Sequence, residues 1–148
     1  MTTVADIMRL VRTRLNAITL GTYAKHAGQT HLREALSLSI DAPGDIDPHG
    51  VYVLEPQSLA TLDRQGRGGA RVAEFTLLLT SRLDPQIGEA AEDLTQAWAM
   101  VERIGQVLET DLGAVASIDV GRITALGTGP DGATYEHTIT FTATFEGG

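Results

Sequence analysis

Cysteine is absent from the 148 residues. That excludes disulfides, a thiolate nucleophile and a thiolate metal site, and it fits a cytoplasmic origin. Positive charge is scarce: 11 Lys and Arg stand against 19 Asp and Glu, for a net charge of −8 and a pI near 4.8. A deficit of that size argues against a nucleic-acid binder, which carries a basic face or stripe, and against attraction to anionic lipid. No apolar run approaches the roughly 18–20 residues of a membrane span. The opening MTTVADIMRLVRTRL is punctuated by charge and lacks the apolar core of a signal peptide. There is no repeat at a fixed period and no low-complexity tract.

Catalytic constellations are equally thin. His26, His31, His49 and His137 are scattered, and no serine lies in a GxSxG turn. The glycine cluster QGRGGAR lacks the lysine and hydroxyl of a phosphate loop and precedes a strand rather than a helix. Asp41, Asp45, Asp47 and His49 share one loop, but DAPGDIDPHGVY lacks the register of a calcium-binding loop. The acidic pairs Glu92–Asp93 and Glu89–Glu92 read as a solvated helix face. The expectation is a non-enzyme with no catalytic residue, no cofactor and no metal.

What the chain does have is pattern. From Gly129 a GPDG turn leads into ATYEHTITFTATFE. There Ala133, Tyr135, His137, Ile139, Phe141, Ala143 and Phe145 alternate with Thr134, Glu136, Thr138, Thr140, Thr142, Thr144 and Glu146. Period two marks a long half-buried strand, and β-branched threonines suit its solvated face. Ala114–Leu126 supplies a partner across the turn, with a β-bulge expected at Gly121. His137 reads as a satisfied core or interface histidine.

Upstream, residues 3–18 predict an amphipathic helix. Thr2 or Thr3 caps it, and Val4, Ile7, Met8, Val11, Leu15 and Ile18 form its apolar stripe. The stretch from Leu20 to Gly50 is broken by glycine and proline, and LSLSI favours a strand over Leu36–Ile40. Val51–Leu54 and Leu59–Leu62 flank Pro56, which signals an edge, a bulge or a strand end. The glycine-rich tip Asp63–Arg71 then joins them to a strong strand, Val72–Leu83, as a hairpin. Asp84-Pro85 signals a helix running to about Asp111. Its expected apolar stripe is Ile87, Ala91, Leu94, Trp98, Val101, Gly105 and Leu108, flanked by Ala90, Ala97 and Ile104, with Trp98 the central core aromatic. Asp93 falls among the polar residues opposite. Gly105 permits close approach of this helix to a sheet.

The expected fold is therefore α+β in α-β-β-α-β-β order: a mostly antiparallel sheet of four to five strands carrying two main helices, as one domain over 1–148. This layout resembles the tail terminator and tail completion family of long-tailed phages and related tailed particles, the group like minor tail protein U. The resemblance rests on VADIMRLVRTRLNAI, on VYVLEP with VAEFTLLLTSRLD running into EAAEDLTQAWAMVERIGQVLE, and on the closing ITALGTGPDGATYEHTITFTATFE. It covers about four-fifths of the chain and departs from the family over Ala24–His49, which is longer.

The resemblance implies a structural virion assembly protein. It would form a ring, typically of six copies, on the head-proximal end of the tail tube and stop tube polymerisation there. Implied partners are itself, the tail tube protein and the head-tail connector or stopper protein. DNA would pass through the lumen without specific binding, and no membrane is involved. The implied location is the virion tail, after assembly in the host cytoplasm. Alternatives are another neck component (a head-tail stopper or adaptor) and a small α+β ligand-binding or regulatory module. The candidate interaction residues are Arg64, Arg67 and Arg71 at the hairpin tip and Thr138, Thr140 and Thr142 on the last strand. If the tip engages an acidic neighbour, Arg67→Glu spares folding, read by circular dichroism, and impairs ring or partner assembly, read by light scattering. Unchanged assembly removes the tip from the mechanism.

Overall fold

A computed structural model describes residues 2–25, 28–35, 49–61, 70–83, 90–110, 116–128 and 132–146. Its elements are α1 (Val4–Asn16), β1 (Arg33–Glu34), β2 (Val51–Thr61), β3 (Ala70–Arg82), α2 (Ala90–Thr110), β4 (Ser117–Thr128) and β5 (Thr134–Glu146). The fold is α+β: one mixed five-stranded sheet in the order β1-β2-β3-β5-β4, with two helices. All pairings are antiparallel except β1 with β2.

The order differs from the expected one by the added strand β1. HLREAL carries a helical pattern, yet Arg33 and Glu34 pair in parallel with Val51 and Tyr52. Backbone bonds from Leu20 N to Thr30 O (2.9 Å) and from Leu32 N to Ile18 O (3.1 Å) hold this stretch extended. The non-local ladder outcompetes local propensity. The strand expected at Leu36–Ile40, the helix start at Asp84-Pro85 and the turn at 129–131 lie outside the described residues.

The centre is the β3–β5 ladder, which runs without a slip from Ala70↔Glu146 to Arg82↔Thr134. Every second residue of each strand is buried: Ala73, Phe75, Leu77, Leu79 and Ser81 on β3, and His137, Ile139, Phe141, Ala143 and Phe145 on β5. Phe75 stacks on its register partner Phe141, with centroids 5.1 Å apart and planes at 11°. The β2–β3 pairing shifts between Pro56 and Ser58, so the proline sits beside a bulge at Gln57. β4 has two irregularities, at Gly121 as expected and at Leu126.

Both helices pack on one face of the sheet. Thr3 caps α1: its hydroxyl accepts from Asp6 N at 3.1 Å, and the Asp6 carboxylate accepts from Thr3 N at 3.0 Å. The backbone and hydroxyl of Thr3 hold the Asp6 carboxyl below its ordinary range. Ile7, Val11 and Leu15 form the buried stripe. The helix ends at Asn16, two residues before the expected end, and Ile18 is buried beyond it.

α2 buries Val101, Gly105 and Leu108 of the expected stripe with its flanks Ala97 and Ile104, but its first half is turned from that stripe. Asp93, Ala97, Met100, Val101, Ile104, Gly105 and Leu108 are buried, whereas Ala91 is exposed and Leu94 and Trp98 are half-buried. Trp98 is thus not the central aromatic; Tyr52, Phe75 and Phe141 are. Turning Asp93 inward to meet Lys25 carries Trp98 towards the rim, where it lies edge-on to His137.

Gly50 leads into β2 with φ +70°, and a Cβ there would lie 3.0 Å from the Leu20 side chain, so glycine is required. Gly105 is different: an added Cβ would rest 3.6 Å from Ile123 Cδ1, an ordinary contact. Glycine costs about 1 kcal/mol against alanine inside a helix. Gly105→Ala is therefore expected to stabilise the protein by about 0.5–1 kcal/mol, seen as a raised urea midpoint. A lowered midpoint would show that α2 needs to sit closer to β4 than a methyl group allows.

Candidate interaction surface and the buried polar contacts behind it

The strand alternation buries one face, and no described element covers the other. On it stand Thr138, Thr140, Thr142 and Thr144 of β5, Glu74, Thr76 and Leu78 of β3, Val53 and Glu55 of β2, and Asp119, Arg122 and Thr124 of β4, as the registers require. Two concavities mark this face. The larger, about 300 Å³, is lined by Gln57, Glu74, Thr76, Asp119, Gly121, Thr140 and Thr142, with Phe75 and Phe141 at its base. The smaller, about 180 Å³, is lined by Val53, Glu55, Thr76, Leu78 and Thr138. The three candidate threonines thus share one face and line both hollows. Thr140 donates a long 3.5 Å bond to Arg122 O.

Arg71 does not join them. Its register partners are Thr61 and Phe145, and Phe145 is buried on the helix-bearing face, so Arg71 and the threonines point to opposite sides. Arg64, Arg67 and the tip around them lie outside the described residues. So do Asp41, Asp45, Asp47 and His26. Among the described residues, no group of His, Asp and Glu is placed to hold a metal ion, and no helix is long and apolar enough to cross a membrane.

Behind the sheet, polar contacts tie the segment before β2 to the core. Arg12 Nε lies 2.7 Å from Glu34 Oε2, off the line of the N–H, so the contact is ionic rather than an aligned hydrogen bond. Lys25 pairs with the buried Asp93 of α2. The Tyr52 hydroxyl donates to Asn16 Oδ1 at 2.6 Å, and burial raises its pKa above the ordinary phenol value. His49 Nδ1 accepts from Arg82 N at 2.9 Å, which leaves Nε2–H to donate to the carbonyl of Tyr23. His49 is thereby the neutral Nε2–H tautomer, clamping the turn at Gly21–Tyr23 to the end of β3. Composition alone did not reveal this use of His49. The signal for Asp93 was present in the spacing 93-97-100-104, which places it in line with three apolar residues.

His137 is a core residue, as expected, but it is not satisfied. Among the described residues neither ring nitrogen has a hydrogen-bond partner, nor does Ser81 Oγ on the neighbouring strand. The imidazole is held by ring edges instead: Trp98 at 4.5 Å and Tyr135 at 5.0 Å. A search of known protein families finds none whose profile matches this chain, and no curated protein matches it.

Burial holds the His137 pKa below its ordinary 6.5. The unfolded chain then takes up a proton that the folded chain rejects. Stability from this group is fully present above pH 6.5 and declines as pH falls from there towards the lowered folded value, below which it levels off. His137→Phe, which keeps the aromatic contacts, is expected to remove that component from urea midpoints measured between pH 5 and 8. An identical pH profile in the variant would place the dependence elsewhere.

Proposed function

We propose that the protein is a structural assembly protein of the tail-terminator kind, which closes into a ring on the head-proximal end of a tail tube. There it stops tube growth and forms part of the head-tail joint. The observation that carries the reading is the asymmetry of the sheet. Its helix-bearing face is packed with apolar side chains, while among the described residues nothing covers its long threonine face. Such a surface is expensive neither to solvate nor to line a channel with. Its charged residues are mostly acidic: Glu55, Glu74, Asp119, Glu136 and Glu146 against Arg82 and Arg122. Like charge resists phosphate contact, so DNA slides past such a wall without sticking. A heterologous ring has two unlike faces, one to meet a tube ring and one that admits no further ring. The partners in this reading are copies of the chain, the tail tube protein and a connector or stopper protein, and the location is the virion tail.

A second reading, a small α+β ligand-binding module, draws on the 300 Å³ concavity, a volume at the lower end of small-molecule sites. Light scattering and negative-stain imaging separate the two. The assembly reading expects rings of about six copies, formed by the protein alone or on added tail tubes. A stable monomer or dimer under both conditions, with a small molecule bound in that concavity, overturns it.

A further inference from the structure

Two large apolar side chains are exposed among the described residues: Leu59, at 49%, and Leu126, at 56%. Leu59 lies on β2, and Leu126 is the bulged residue of β4. These are the two outer strands of the long ladder. Beyond Tyr52 no described strand pairs with the outer edge of β2, and none pairs with the outer edge of β4. Each free edge therefore carries one exposed leucine.

We propose that successive copies of this chain join edge to edge, the β4 edge of one copy meeting the β2 edge of the next, with Leu126 of the first against Leu59 of the second. The proposal rests on the ring reading above and specifies its subunit contact. The strand directions allow it. β2 is antiparallel to β3, β3 to β5 and β5 to β4, so β2 and β4 run in opposite senses. A copy placed beside the first by rotation about an axis near the strand direction presents β2 antiparallel to β4. A two-fold dimer over β4 alone would leave Leu59 in water, whereas head-to-tail pairing covers both leucines and uses both edges.

The stagger follows from the registers. Leu59 shares a level with Ala73, Ala143 and Ile118. Leu126 falls between the levels of His137 and Glu136, six to seven residues along β5 from Ala143. Bringing the two leucines together slides each copy by about 22 Å relative to the last, over a lateral repeat of four strands, roughly 19 Å. The slide also resolves an obstruction. β1 occupies the β2 edge at Val51 and Tyr52, the level of Ala125 and Leu126, and an unstaggered neighbour would meet it there. Slid upward, β1 clears the end of β4. The bulges at Gly121 and Leu126 keep the new ladder short, so the leucine contact sets its register and the edge does not template open-ended pairing.

The absence of native cysteine makes the test clean. Leu59→Cys and Leu126→Cys, separately and together, are oxidised with copper-phenanthroline in the presence of tail tubes and run on non-reducing gels, with masses of the reduced assemblies from light scattering. Antiparallel neighbours lie within disulfide reach. The double variant is expected to give a ladder of multimers up to ring size. Each single variant is expected to give none, and an equimolar mixture of the two is expected to stop at dimers. Dimers from either single variant overturn the head-to-tail contact in favour of a two-fold one. Rings without a ladder overturn the contact and leave the ring reading standing. Monomers or dimers by mass, without a ladder, overturn both.

Discussion

The unbroken ladder between β3 and β5 is the constraint on which the rest of the structure depends. Its partners run in step from Ala70↔Glu146 to Arg82↔Thr134, so both strands turn the same set of positions inward. A slip of one residue would expose Phe75, Leu77, Ile139 and Phe141 and bury the threonines. The two phenylalanines stacked at its middle are among the largest fully buried side chains. Against this surface α2 lays Ala97, Met100, Val101, Ile104 and Leu108, and α1 adds Ile7, Val11 and Leu15 beside β2. β2 and β4 then extend the ladder outward, each with a bulge where the pairing loosens.

A second layer of order comes from charge and hydrogen bonding at the margin of that core. The described parts of the segment between α1 and β2 are pinned at several points. Arg12 meets Glu34, Lys25 meets Asp93, and His49 bonds to both Arg82 and Tyr23. Removing one member of a buried pair strands the other, which costs more than the pair itself contributes. These contacts fix where β1 lies, and β1 in turn blocks the upper end of the β2 edge. The stagger of the proposed subunit contact thus depends on polar contacts behind the sheet.

Function on this reading is a matter of which surfaces are left open. One face of the sheet is closed by helices, the other is threonine-rich and acidic, and the two lateral edges each end in an exposed leucine. In the proposed function such a body meets copies of itself sideways. The tail-terminator resemblance and the open edges support the same reading by separate routes. One rests on the order of the elements, the other on strand edges that pair with no described strand.

The sequence by itself determined the elements with strong periodicity. The alternation of β5, the strand β3 and the helix α2, the Thr3 cap and the bulge at Gly121 were all legible, because each is a local pattern that one burial arrangement satisfies. The α+β class followed from them. Only the tertiary structure decided the rest. Arg33–Glu34 became a strand because β2 offered a parallel edge, against its own local preference. α2 turned so that Asp93 met Lys25, and Trp98 moved from the expected centre to the rim. Arg71 parted from the threonines because the ladder's alternation sends them to opposite faces. Periodicity states which residues share a face. Which face is covered, and which charge finds a partner across it, depends on segments distant in the chain, and no local pattern encodes their approach.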